Sequence, residues 1–361
     1  MRIGIIATEL PPAVGGMQEH AFHTASELAR GNAVTVFTRT NPGIGDTPFP
    51  VRGVLGRDLA AAISHLRAFP ADVWLGLSAA HAMLVHWVAA PVVLYCHGND
   101  LLRGAMVPRG GEAGAGTPPE LGESFGLVRH FVCNSRATAG ILAERYGVGA
   151  ARCTVVPPGV DARFFVERPD RKPGGAFELL TVGRLTAAAR RKNVDGVLRA
   201  LTRLPPDFPI RYRIVGDGDD RPRLERLVAE LGLSEKVDFA GALPNDALPE
   251  AYARADLMVL ASTVAEDDIE GFGMVYLEAN AAGTPVLAAA SGGALDAVRP
   301  GRTGLLLPSP DPEAIAEAIL SVARGDIVFE AQACRDFAAA HRWPAVSARL
   351  ERVVARAAGA P

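Results

Sequence analysis

The sequence predicts an α/β protein built as two doubly wound domains, each a mostly parallel sheet wrapped by helices. Three observations predict it. Short apolar runs alternate with amphipathic helical stretches along almost the whole chain, the pattern of repeated β-α units. At 361 residues the chain is longer than one hydrophobic core usually organises. A Pro- and Gly-rich break, from Val156-Pro157-Pro158-Gly159 to Gly174-Gly175, separates two stretches in which the same alternation starts afresh.

In the first half the apolar runs Ile3–Ala7, Val34–Thr38, Val73–Leu77, Val92–Cys96 and His130–Cys133 read as strands. Helical patterns fall between them at Glu19–Arg30, Leu59–Phe69 and Ala137–Tyr146. In the second half the strands are Leu179–Gly183, Tyr212–Gly216, Val237–Ala240, Leu257–Ala261 and Val286–Ala289. Leu224, Leu227, Val228 and Leu231 recur at the spacing of a buried helix face, as do Ile315, Ile319 and Val322. The expected domains are 1–160 and 161–340, with 341–361 as a terminal helix opened by Trp343. Residues 104–119 are a glycine-rich, low-complexity stretch that reads as a loop. Facing one another, two such domains would place the carboxyl ends of both sheets at a shared cleft, where ligands of these folds bind.

Composition narrows the function. A hydrophobic fraction of 49% and a charged fraction of 21% are those of a well-packed soluble protein. The net charge of −3 lacks the basic excess of a nucleic-acid binder. Cys96, Cys133, Cys153 and Cys334 form no CxxC pair or zinc-ligand cluster, so they read as reduced thiols and no metal is expected. Met1 leads straight into a strand too short for a signal-peptide core, and no stretch approaches the ~20 apolar residues of a membrane span. The expectation is a cytoplasmic protein, with peripheral contact at the inner membrane face left open, as is its oligomeric state.

The strongest local signal runs from Glu270 through Gly271-Phe272-Gly273-Met274 to Glu278, then Gly283-Thr-Pro285. Glycines allow a tight turn with bare N–H groups, and a helix follows until Gly283 and Pro285 end it. Such a helix N-terminus favours an anion such as a diphosphate. Two carboxylates cannot neutralise that anion; they suit hydrogen bonds from the vicinal hydroxyls of sugars and ribose. The second signal is Gly183-Arg184 at a strand end, followed by Arg190-Arg191-Lys192-Asn193, which brings cations to the same edge. Of these three basic residues, Lys192 is preferred to Arg190 and Arg191 because it starts the next helix.

Gly15-Gly16 precedes a helix after the first strand; the alternative there is a plain tight turn. His97 ends a strong strand and is followed by Gly98, Asn99 and Asp100; Asp100 suits either an acceptor or a turn cap. His20, His23, His81 and His86 read as packing or surface residues. Neither Gly15-Gly16 nor Gly216-Asp-Gly218 has the GxGxxG spacing of a dinucleotide fold, which counts against a nicotinamide dehydrogenase.

The Glu-x7-Glu segment resembles that of the retaining GT-B glycosyltransferases of the family 4 type, the glycosyl transferases group 1. Cys133-Asn-Ser135, Pro157-Pro-Gly-Val-Asp161 and Val237-Asp-Phe-Ala-Gly241 resemble further segments of the same family. The resemblance implies two Rossmann-like domains, the first for acceptor and the second for donor, with the last helix crossing back to the first. It implies a GDP- or UDP-linked sugar as co-substrate, no other cofactor, and a saccharide, lipid-linked or small-molecule alcohol as acceptor. Glu270 would hold donor-sugar hydroxyls and Glu278 the ribose. Arg184 and Lys192 would neutralise the diphosphate without a metal, although the connection through Thr186-Ala-Ala-Ala189 looks longer than usual. His97 would lie near the donor sugar, with Gly16, Gly183, Gly216, Leu243, Gly271, Phe272, Gly273 and Met274 along the donor. Gly15, Asn99 and Asp100 fall on the acceptor side. The implied reaction is hexosyl transfer by front-face attack. A GT-B phosphorylase or epimerase, or an inactive sugar-nucleotide-binding protein, is the alternative.

Overall fold

A computed structural model of the chain describes residues 1–13, 15–39, 46–56, 58–102, 119–169, 174–244, 246–265 and 267–359. The chain divides into two units, Met1–Gly159 with Trp343–Pro361, and Val160–Arg342.

The first unit holds seven strands: β1 (Arg2–Ile6), β2 (Ala33–Thr38), β3 (Val51–Gly53), β4 (Val73–Gly76), β5 (Val92–Cys96), β6 (His130–Cys133) and β7 (Cys153–Val155). They form one parallel sheet in the order β3-β2-β1-β4-β5-β6-β7. Alternation along each strand sorts side chains to the two faces. Ile3, Ile5, Val93 and Tyr95 face one core, and Ile6, Leu94, Cys96 and Trp74 the other. The first face is covered by helix α1 (Gly16–Leu28) and by the last helix, Trp343–Ala357, through Val346, Leu350, Val354 and Ala357. Tyr95 Oη ties the centre of β5 to the carbonyl of Val156 at 2.7 Å.

The second unit repeats the scheme with six strands: β8 (Phe177–Val182), β9 (Ile210–Val215), β10 (Val237–Gly241), β11 (Leu257–Leu260), β12 (Val286–Ala289) and β13 (Gly304–Leu307). Their order is β10-β9-β8-β11-β12-β13, again all parallel. Renumbered from its own first strand, each sheet begins 3-2-1-4-5-6, the doubly wound order of dinucleotide-type folds. Leu179, Tyr212, Leu257 and Val259 face one core, and Leu180, Val215, Met258 and Leu260 the other.

All ten strands expected from the sequence are present, within two residues at either end. Three more, β3, β7 and β13, escaped it. Each is an edge strand of three or four residues, mostly half-exposed, so its apolar signal is weak. The first helix begins at Gly16, three residues before its apolar periodicity becomes legible. Residues 104–118 of the glycine-rich stretch lie outside the described residues; Pro119 opens a short helix. Among the described residues no helix is long and apolar enough to cross a membrane.

The carboxyl end of the first sheet carries a group of histidines, with His20 buried and His81 and His97 half-buried. His20 on α1 packs against Tyr95, His97 and Trp343, with its ring centroid 4.3 Å from that of Tyr95. Burial, and then the neighbouring His97 and His23, hold it neutral well below its ordinary range. His81 is pushed from 6.5 down to about 4 by burial and then by His97. An unfolded chain would bind that proton near pH 6.5, so the contribution to stability is full above 6.5 and lost as pH falls toward 4. The loss from His81 alone amounts to about 3 kcal/mol. Urea midpoints between pH 7 and 4 should therefore fall less steeply in His81→Gln than in the parent protein.

Candidate functional site

In a doubly wound sheet, the strands on either side of the order reversal send their crossovers to opposite faces, leaving a crevice at their carboxyl ends. In the second unit that reversal lies between β8 and β11. The chain leaving β8 carries Gly183, Arg184 and the basic run, and the chain leaving β11 carries the polar loop to Glu270. One topological feature thus gathers both of the strongest sequence signals.

The segment after β8 forms a 3₁₀ turn, Ala187–Lys192, which takes up the unusual length of the connection. It is anchored by Ala187 N–H, which donates to Asp219 Oδ1 at 2.8 Å. Three residues per turn point successive side chains about 120° apart. Arg190, Arg191 and Lys192 accordingly diverge. Arg190 pairs with Asp220 at 2.8 Å. Arg191 turns to the β11 loop, giving Nε to Asp268 Oδ1 at 2.6 Å and Nη1 to Glu270 Oε2 at 3.2 Å. Lys192 lies over Gly183, where a Cβ would collide with its ammonium. Asn193, in the left-handed region at φ 61°, closes the turn and donates to the carbonyls of Ala261 (3.1 Å) and Pro310 (2.8 Å).

Lys192 makes no hydrogen bond or ion pair within 4 Å among the described residues. Burial lowers its pKa; Glu270 and Glu278 oppose the shift, while Arg191 and Arg184 add to it. Arg184 is exposed and likewise has no partner among the described residues. Two cations that form no ion pair among the described residues therefore stand at the carboxyl end of β8. Behind them the backbone is tight: a Cβ at Gly216, which ends β9, would fall on the Gly183 carbonyl.

After β11 the chain bends back to helix α2 (Met274–Ala281) through Gly273 at φ 85°, a conformation that costs glycine little. No side chain caps that helix; the Tyr276 amide donates to the Gly273 carbonyl at 3.0 Å, and the Met274 and Val275 amides ahead of it are the ones left for a ligand. Phe272 is buried in the core and anchors the turn, while Gly271 and Met274 are half-buried. Glu270 keeps its position through Gly293 N–H, which donates to its carbonyl at 2.7 Å. Its Oε1 has no hydrogen bond among the described residues. On α2, Glu278 accepts from Tyr252 Oη at 2.6 Å. Burial and then the Glu278 charge hold that phenol well above its ordinary pKa, so it stays a donor. Leu243, beyond β10, is half-buried against the same core.

The structure thus brings Arg184, Lys192, Gly183, Gly216, Glu270, Gly271, Phe272, Gly273, Met274 and Glu278 to one end of one sheet. It adds three partners: Arg191, which the basic run contains beside Lys192, and Asp268 and Tyr252, which carry no local sequence signal. Gly292-Gly293, on which the Glu270 carbonyl rests, follows β12 as Gly183 follows β8, and that pattern was there to find.

In the first unit the reversal lies between β1 and β4. Gly15 and Gly16 start α1 after β1 without a side-chain cap. His97 ends β5; its Nε2 lies 3.2 Å from the Leu77 carbonyl, and burial lowers its pKa against the opposing Asp100 charge. Asp100 is occupied by its own surroundings: it accepts from the His97 amide (2.9 Å), the Ala79 amide (2.8 Å) and the Ser78 hydroxyl (3.1 Å). These bonds tie Asp100 to the backbone of its own turn and of the neighbouring one. Asn99 opens the short helix Asn99–Leu102, in which Asp100 is the second residue. Among the described residues no group of three His, Cys, Asp or Glu is arranged to hold a metal ion.

Comparison with known proteins bears on this geometry. A family model described as "Glycosyl transferases group 1" matches residues 164–340, and one described as "Glycosyltransferase Family 4" matches residues 14–164. A GDP-mannose-dependent alpha-(1-6)-phosphatidylinositol monomannoside mannosyltransferase of Mycolicibacterium smegmatis is 30% identical, over 87% of each chain. A D-inositol 3-phosphate glycosyltransferase of Nocardia farcinica is 32% identical, over 88% of this chain and 80% of that one. Among solved structures, sucrose-phosphate synthase from Thermosynechococcus elongatus superposes with a TM-score of 0.80 at 21% identity, covering 98% of both chains. Anabaena HepE in complex with UDP and glucose gives 0.76 at 19% identity, covering 98% of this chain and 99% of that one. The protein is a glycosyltransferase of the GT-B fold. It belongs to the glycosyl transferases group 1 family, with a first unit of the family 4 type.

Replacing Gly183 by alanine adds one methyl where the Lys192 ammonium lies. Gly183→Ala should displace that flexible side chain and weaken GDP or UDP binding about tenfold, the scale of one charge-assisted hydrogen bond. Calorimetric titration with each nucleotide checks it.

Proposed function

We propose that this glycosyltransferase moves a hexosyl unit of the mannose, glucose or N-acetylglucosamine class from a GDP- or UDP-linked donor to an alcohol, with retention and without a metal ion. The observation that carries the reading is the grouping, at one strand-order reversal, of two uncommitted cations with a glutamate that has one open oxygen. Arg184 and Lys192 would meet the diphosphate in place of a divalent ion and stabilise charge as the leaving group departs. The Met274 and Val275 amides at the N-terminus of α2 add donors to the same charge. Glu270 would hold the hydroxyls of the sugar, and Glu278, steadied by Tyr252, those of the ribose.

The residues 161–340 would be the donor part and 1–160, with the returning 341–361, the acceptor part. Gly15, Gly16, His97 and Asn99 are the first unit's candidates for ligand contact, and Leu243 stands on the nucleotide side of the second. In the step itself the anomeric C–O bond to the diphosphate breaks and a bond to the acceptor oxygen forms on the same face. The acceptor's proton passes to the departing phosphate, and the protein supplies position and field. No carboxylate is assigned as a nucleophile: the reading uses Glu270 and Glu278 as acceptors of hydroxyls, oriented by Arg191 and Tyr252.

The acceptors named for the two relatives, a phosphatidylinositol monomannoside and D-inositol 3-phosphate, both carry inositol, so they head the acceptor panel. A lipid-linked acceptor would bring the protein to the inner face of the membrane.

Slow hydrolysis of GDP-mannose, UDP-glucose and UDP-N-acetylglucosamine, followed without acceptor, identifies the donor. Activity should withstand EDTA, and NMR of the product should show the donor's anomeric configuration kept. Glu270→Ala should lower kcat/KM by about 10²-fold or more. A folded Glu270→Ala protein with full transfer activity would overturn the assignment.

A further inference from the structure

We infer that Arg191 is a positioning residue for the transfer, fixing the orientation of the Glu270 carboxylate and deciding which of its oxygens meets the donor. The inference rests on the reading of Glu270 as the group that receives the donor's hydroxyls.

Arg191 is 13% exposed and sits between Asp268 at 9% and Glu270 at 14%. Asp268 takes Nε, next to the guanidinium carbon, and so fixes the plane of the whole group. The position of Nη1 then follows, and Nη1 donates to Oε2 of Glu270. The backbone is held as well: the Arg191 carbonyl accepts the Thr263 amide at 2.7 Å, within the loop that leads to Glu270. Held at both ends, the arginine leaves Glu270 little rotational freedom, and Oε1 alone remains open. A carboxylate with one oxygen engaged and the other free accepts a hydroxyl from one direction.

The charges favour the same arrangement. Burial works against the guanidinium, but Glu270 and Asp268 outweigh it, and its pKa lies above the ordinary arginine value. Without the arginine, two enclosed carboxylates would face each other across its place, and Glu270 would swing toward the nearest remaining cation. That cation is Lys192, which the proposed mechanism reserves for the diphosphate. Arg191 therefore keeps Glu270 and Lys192 apart in function. Neither Arg190, turned to Asp220, nor Arg184, exposed, can replace it.

A tie between two loops could have the same appearance, and a double-mutant cycle separates the two. The variants are Arg191→Gln, Arg191→Lys, Glu270→Gln and the Gln–Gln double variant. Each is assayed by hydrolysis of GDP-mannose or UDP-glucose, whichever the parent protein cleaves, and by titration with GDP or UDP alone. Arg191→Gln should lower kcat/KM about 10- to 100-fold, the cost of a misplaced reacting group. Its affinity for the nucleotide should change by less than about threefold, because the diphosphate cations are untouched. Arg191→Lys, lacking the planar fork, should recover only part of the loss. The double variant should be no worse than Glu270→Gln by more than about threefold. Losses that multiply in the double variant would make Arg191 a structural tie only and overturn the inference. An active Arg191→Gln beside an inactive Glu270→Gln would overturn it while leaving the role of Glu270 intact. A fully active Glu270→Gln would remove that role, and the inference with it. Should Arg191→Gln not fold, Asp268→Asn loosens the same grip and should lower kcat/KM with nucleotide affinity unchanged; unchanged kcat/KM overturns the inference.

Discussion

The reversal of strand order between β8 and β11 is the constraint on which the rest of the second unit depends. Parallel pairing forces every connection to cross a face of the sheet, and at this one boundary the two crossovers part to opposite faces. The gap exposes backbone that elsewhere would lie under a helix. It also demands that the strands end without bulk, which is why Gly183 and Gly216 stand where their backbones crowd. Arg191 and Glu270 come from the two chains that leave that boundary, and Arg191 is the side chain that joins them.

The division of charge follows from local geometry. A run of three basic residues on an α-helix would spread over much of one turn and leave several facing solvent. On a 3₁₀ turn the same run points three ways, so one residue braces Asp220, one holds Glu270 and one stays unpaired beside Gly183. At the carboxyl end of β8, Arg184 and Lys192 form no ion pair with a carboxylate among the described residues. Charge that is neutralised internally serves the scaffold; charge that is not is available to a ligand.

Most of the fold was legible in the sequence because parallel strands buried on both faces write continuous apolar runs, as Val92–Cys96 and Leu257–Leu260 do. The edges were not, since Val51–Gly53 and Cys153–Val155 bury too little to mark themselves. At the site, the backbone devices could be read, because glycine after a strand has a local meaning. The side-chain partnerships could not. Arg191 meets Glu270 across 79 residues, and Tyr252 meets Glu278 across 26. Cys133 and Cys153, apparently unrelated in the sequence, bring their sulfurs to 3.4 Å on adjacent strands. Such pairs are products of the crossover connections and leave no trace in local spacing. Asp100 is a further case: the Ser78 hydroxyl and Ala79 amide it accepts from lie 22 and 21 residues away.

The helix Trp343–Ala357 bears on how the molecule is made. It supplies Val346, Leu350, Val354 and Ala357 to the core of the first unit, so that core is incomplete until residues beyond the second unit have been made. The second unit, by contrast, is one uninterrupted stretch from Val160 to Arg342. On a ribosome, which releases a chain from its amino end, the unit synthesised first must wait with part of one sheet face uncovered until its neighbour has been made. Birth order and order of completion are reversed, and Trp343–Ala357 acts as the closing piece of the first unit.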